Sequence, residues 1–84
     1  MATASVASSA ASVPLFTGGP MDGRTVYNDS TSVLYLKFGA VASASDYTVQ
    51  IAAGGYYEFP LPLYMGEVDG IWTSANGYAR LTSW

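Results

Sequence analysis

The sequence predicts an all-β fold: a small antiparallel β-sandwich or barrel of about six short strands behind an extended N-terminal arm. Three observations predict it. Runs such as "SVLYLKFG" and "YTVQIAA" alternate between apolar and polar residues with the period of two that marks a half-buried strand. Gly, Pro, Asn, Asp and Ser separate these runs at roughly 8–12-residue spacing. No stretch of useful length carries apolar residues at helical spacing.

The opening segment, residues 1–21, differs in texture from the rest. "MATASVASSAASVPLFTGGPM" is rich in Ser and Ala, and no Lys or Arg precedes Arg24. A secretory signal needs a basic start and a continuous apolar stretch. A membrane-spanning helix needs about 20 mostly apolar residues. The segment has neither. Alanine favours a helix, but Ser8, Ser9, Ser12, Pro14 and the Gly18–Gly19–Pro20 break oppose it. Alone it is expected to be disordered, and to order by lying across another chain.

Residues 22–84 form the expected β domain. "RTVYN" is a first strand that ends at the turn residues Asn28, Asp29 and Ser30. In "SVLYLKFG", Leu34, Leu36 and Phe38 share one face, with Val33, Tyr35 and Lys37 on the other. "VASASD" is a loop or short edge. "YTVQIAA" sets Tyr47, Val49 and Ile51 against Thr48 and Gln50. Gly54–Gly55 predicts a hairpin-type turn. Pro60 and Pro62 cannot donate to a ladder, so "YYEFPLPLY" is short or lies at a sheet edge. Asn76–Gly77 predicts a two-residue type I′ turn that pairs Ser74 with Ala79, Thr73 with Arg80 and Trp72 with Leu81.

Composition bounds what such a domain can do. Half of the 84 residues are hydrophobic, the net charge is −3, and Cys and His are both absent. Disulfides and the usual zinc sites are therefore excluded. A domain this small buries only about 60% of its unfolded surface, so oligomerisation or docking on a larger body is the expected support. The basic residues are Arg24, Lys37 and Arg80 alone, too few and too scattered for a nucleic-acid interface.

The chemistry of an active site is also thin. Only carboxylates, Lys, Tyr and hydroxyls remain as candidate bases or nucleophiles. Glu67 and Asp69 flank Val68 and share a face in a strand, as an acid pair or a cation site would require. Two carboxylates fall short of the six to eight oxygens calcium takes, so a solvated edge is the expected reading. Asp22 and Asp29 sit in turn contexts, where Asp accepts local backbone bonds. Lys37 is read as an edge guard or a partner-facing cation. No enzyme, metal or cofactor is expected.

The parts "VYND", "LYLKFG", "YTVQIAAGGYYEFP" and "YMGEVDGIWTSANGYARL" occur in that order over Val26–Leu81. In this order the chain resembles small structural virion proteins of tailed bacteriophages, the decoration (cement) and head-associated proteins. The resemblance implies a capsid decoration protein at the virion surface. It would bind the outer shell, bridge subunits of the major capsid protein and assemble as a homo-oligomer, a trimer by preference. The arm would be the attachment device, with Val6, Val13, Leu15 and Phe16 entering grooves on the neighbour. The alternative implied role is a tail- or head-fibre module. There Tyr56, Tyr57, Tyr64 and Trp72 would stack on host glycan.

Overall fold

The computed structural model describes residues 2–19 and 21–84. Met1, and Pro20 of the Gly18–Gly19–Pro20 break, lie outside the described residues. Eight strands are present: β1 (Ala2–Ala7), β2 (Val13–Phe16), β3 (Arg24–Asp29), β4 (Leu34–Phe38), β5 (Val49–Ile51), β6 (Tyr56–Glu58), β7 (Val68–Trp72) and β8 (Tyr78–Ser83). They form two four-stranded antiparallel sheets. The front sheet has the order β1-β8-β3-β6 and the back sheet β2-β7-β4-β5. The inner faces meet in one core of Leu15, Phe16, Val26, Leu34, Leu36, Ile51, Phe59, Val68, Trp72, Ala79 and Leu81. The fold is thus all-β and sandwich-like, with eight strands in place of the expected six.

The extra two strands come from the opening segment, which does not stand off as a free arm. β1 pairs with β8 along its whole length, from Ala2 opposite Ser83 to Ala7 opposite Tyr78. β2 pairs with β7, and a register shift between Pro14 and Phe16 lets two successive residues, Leu15 and Phe16, both turn inward. The linker is tied down as well. Ser8 N–H donates to the Gly77 carbonyl, and Trp72 N–H donates to the Ser9 carbonyl. The physical reason is simple: burying Leu15 and Phe16 gives about 1.5–3 kcal/mol each. The β1 and β2 backbones find ladder partners within the chain.

Links between the strands also differ from expectation. Among the described residues only β4 and β5 are joined as a hairpin; every other link passes from one sheet to the other. Asn76–Gly77 therefore closes no hairpin. Trp72 pairs with Leu34, and Thr73 N–H donates to the Val33 carbonyl. Stacked sheets lie about 10 Å apart, a span that a two-residue turn cannot cross. Residues 73–77 make the crossing. Asn76 Oδ1 accepts from Thr31 N–H (2.7 Å) and Thr31 Oγ1 (2.9 Å), so its side chain ties this loop to the β3–β4 corner. Gly77 has φ +73°, and a Cβ there would run into the Asp29 carbonyl. Gly54–Gly55 is likewise a corner, bonded to Asn28 through its N–H and C=O.

Other expectations hold. Leu34 and Leu36 are fully buried on one face of β4, and Phe38 packs against the core beside them. β6 is three residues long and lies at the edge of the front sheet, just before Pro60. β4 is an interior strand, so Lys37 guards no edge; it pairs with Asp46 at 2.6 Å.

Candidate functional site

The eight site residues expected from sequence scatter. Leu15 and Phe16 belong to the core, and Val6 and Val13 pack partly buried against it. Leu15 and Phe16 cannot reach a neighbour while the sandwich is closed, whereas Val6 and Val13 keep part of their surface open. Trp72 is also core, 2% exposed, with its indole Nε1 donating to Asn28 Oδ1 at 3.1 Å. Tyr57 is half-buried beside Phe59 (5.4 Å between centroids), and Tyr64 stacks on Phe38 (5.1 Å). Of the expected aromatic set only Tyr56 is freely exposed, at 62%.

Two buried polar residues on the inner face of β3 explain why the core holds its shape. Arg24 is fully buried, with no carboxylate partner among the described residues. Its guanidinium donates to the carbonyls of Tyr64 (2.8 Å), Met65 (3.2 Å) and Gly66 (2.9 Å), and lies over the Phe16 ring. Burial pushes its pKa down, and the neighbouring Tyr64 pushes it back up. Arg24 therefore pins the chain between β6 and β7. Asn28, also fully buried, donates through Nδ2 to the carbonyls of Ser32, Ile51 and Ala52 and accepts from Trp72 and Ser30. Both residues are satisfied, and both serve the fold.

The outer face of the front sheet is the surface that remains. Register sets Ser5 opposite Arg80, Arg80 opposite Tyr27, and Tyr27 opposite Tyr56. These four residues form one row across all four strands, about 14 Å long at three strand spacings. Tyr78 opposite Asp29 lies in the next outward row. Tyr27, Tyr56 and Tyr78 are all exposed. Arg80 holds the centre of the face in one geometry. Its Nε donates to Asp29 Oδ2 (2.9 Å), its Nη1 donates to Ser5 Oγ (2.8 Å), and its guanidinium lies 4.6 Å from the Tyr78 ring centroid.

Such a face supplies aromatic area, hydroxyl donors and one oriented cation, a combination suited to recognition. Tyr27 and Tyr78 were missed from the sequence because their row exists only once β3, β6 and β8 are paired. The one available signal was outward parity, since Tyr27 alternates with Val26 and Asn28. Among the described residues no three Asp, Glu, His or Cys side chains come together, and no helix is long and apolar enough to cross a membrane. No family model, curated protein or solved structure matches the chain.

Proposed function

We propose that the protein is a structural virion module that docks onto a capsid shell through the outer face of its front sheet. The observation that carries this reading is the row Ser5–Arg80–Tyr27–Tyr56 with Tyr78 beside it, an exposed surface whose charged centre is already oriented. Tyr and Arg are the residues that dominate protein interfaces. The resemblance of Val26–Leu81 to phage decoration proteins supplies the partner class, the major capsid protein. The docking surface moves from the arm to this sheet, because the arm's largest apolar residues, Leu15 and Phe16, are spent inside the fold.

Co-sedimentation with shells that lack the protein tests the proposal. Stoichiometric uptake by the native protein, lost in a Tyr27→Ala/Tyr56→Ala/Tyr78→Ala variant, is the expected result. Uptake by the variant equal to that of the native protein would remove this face from the reading. Sedimentation of the free protein gives the oligomer number, with a trimer expected.

A second reading is favoured by the same three exposed tyrosines. As part of a tail or head fibre, they would stack on host glycan. Binding to a glycan array, lost in the triple variant and accompanied by no shell uptake, would establish that reading in place of the first.

A further inference from the structure

The outer side of the back sheet holds a pair of carboxylates that the docking reading leaves unused. Asp69 lies at the middle of the sheet, opposite Pro14 of β2 and Lys37 of β4. It is 5% exposed. Its Oδ2 accepts from Ser12 Oγ at 3.2 Å, and Ser12 Oγ in turn accepts from Ala42 N–H at 3.0 Å. Its Oδ1 is buried, and no N–H or hydroxyl donor among the described residues reaches it. A buried acceptor left without a donor costs roughly 1–3 kcal/mol, and such an atom calls for an explanation, an ion among them.

Glu67 stands two residues earlier on the same side of the chain. Its backbone is fixed, since Gly39 N–H donates to its carbonyl at 2.8 Å. The neighbouring Asp69 carboxylate raises its pKa. Two ionised carboxylates side by side repel unless a proton or a cation lies between them. The neighbouring charges favour a cation. Lys37 faces the pair from β4 but is engaged by Asp46 at 2.6 Å, so Glu67, Asp69 and Asp46 are set against a single ammonium. Arg24 is turned to the inner layer and spent on carbonyls.

We propose that Asp69, Glu67 and the Ser12 hydroxyl form a binding site for a divalent cation of the calcium class. Oxygen donors are the ligands that cation takes, and carboxylates bind it through one or both oxygens. Glu67 is exposed, so the remaining positions are open to water. A bound ion would tie Ser12, at the entry to β2, to the start of β7, and so fasten the opening segment to the back sheet.

Thermal unfolding near neutral pH, at constant ionic strength, tests the site. The native protein is compared in EDTA and in millimolar calcium chloride, beside Glu67→Gln, whose exposed position leaves the core intact. Calcium at about ten times its Kd should raise the midpoint by about 5–10 °C in a domain this small. The Glu67→Gln variant should lose that rise and be more stable than the native protein in EDTA. A calcium shift no larger than that of sodium chloride at equal ionic strength would overturn the proposal. So would a shift that survives Glu67→Gln. Stabilisation by acid without stabilisation by calcium would show that the pair holds a proton only.

Discussion

The two outer faces of the sandwich are built on the same plan and finished differently. The back sheet is covered in part by its own chain. Along residues 39–47, Ala42 is buried at 2% exposure, Tyr47 packs on Tyr35 at 4.8 Å while its outer side stays exposed, and Lys37 reaches Asp46. The front sheet has no such cover, and Tyr27, Tyr56 and Tyr78 stand open around Arg80. On the docking reading proposed above, the more open of the two faces is the one that meets the partner. The contrast separates a sheet whose outward side chains are engaged by its own chain from one whose tyrosines are not.

The contrast rests on the opening segment, since β1 completes the front sheet and β2 the back. Deleting residues 1–17 is therefore expected to have the largest effect. It removes two strands and the buried Leu15 and Phe16, and domains of this kind hold only about 5–15 kcal/mol in all. We expect loss of the cooperative unfolding transition in circular dichroism. A deletion variant that still unfolds cooperatively would return the segment to the status of a dispensable arm.

Trp72→Ala should come next. Trp72 lies between the sheets and bonds Asn28, so its truncation leaves a cavity and orphans Asn28 Oδ1 of one donor. The expected cost is about 3–5 kcal/mol by denaturant titration. Both faces should be lost together, because both hang on this core. A cost near zero would mean that Trp72 is not the shared support.

Much of this was legible in the sequence, and the limits have physical causes. Alternation placed Leu34, Leu36 and Phe38 on the buried face, and Pro60 placed β6 at an edge. The opening strands were not legible. Ala2, Ala4 and Val6 are too small to give β1 an amphipathic signature, and alanine reads first as a helix former. The turn at Asn76–Gly77 was legible as a turn and misleading as a hairpin. The glycine is required by close approach to the Asp29 carbonyl, in a loop that changes sheets. The tyrosine face was the least accessible. Tyr27 becomes the neighbour of Tyr56 and Arg80 only through pairings distant along the chain. Local pattern records parity and turns but not which strands meet.

The face itself should be separable from the fold. Tyr27→Ala, Tyr56→Ala and Tyr78→Ala, made singly, should each change unfolding free energy by about 0.5 kcal/mol or less, as surface substitutions do. Tyr35→Ala on the back sheet should cost more, because it strips Tyr47 of its packing partner. Shell uptake should respond in the opposite sense, falling for the front-sheet variants and holding for Tyr35→Ala. Equal losses of stability on both faces would erase the distinction between covered and open surface.

The smallest expected effect is a dependence on pH confined to the covered face. The Glu67 pKa lies above its ordinary value of 4.5, through its hydrogen bond to Asp69 first, then through the charge of Asp69 and through burial. The folded protein therefore holds a proton at Glu67 in a range where the unfolded chain has released it. Folding binds that proton, so stability from this group is fully present below the unfolded value and is lost as pH rises through the raised folded value. Solvent around the exposed Glu67 keeps the effect modest. It is read as the difference in unfolding midpoint between the native protein and Glu67→Gln, in EDTA, from mildly acidic to neutral pH. The gap should widen in favour of the variant as pH rises. A gap constant with pH would mean that the two carboxylates do not feel each other. A gap that widens as pH falls would reverse the sign of the coupling.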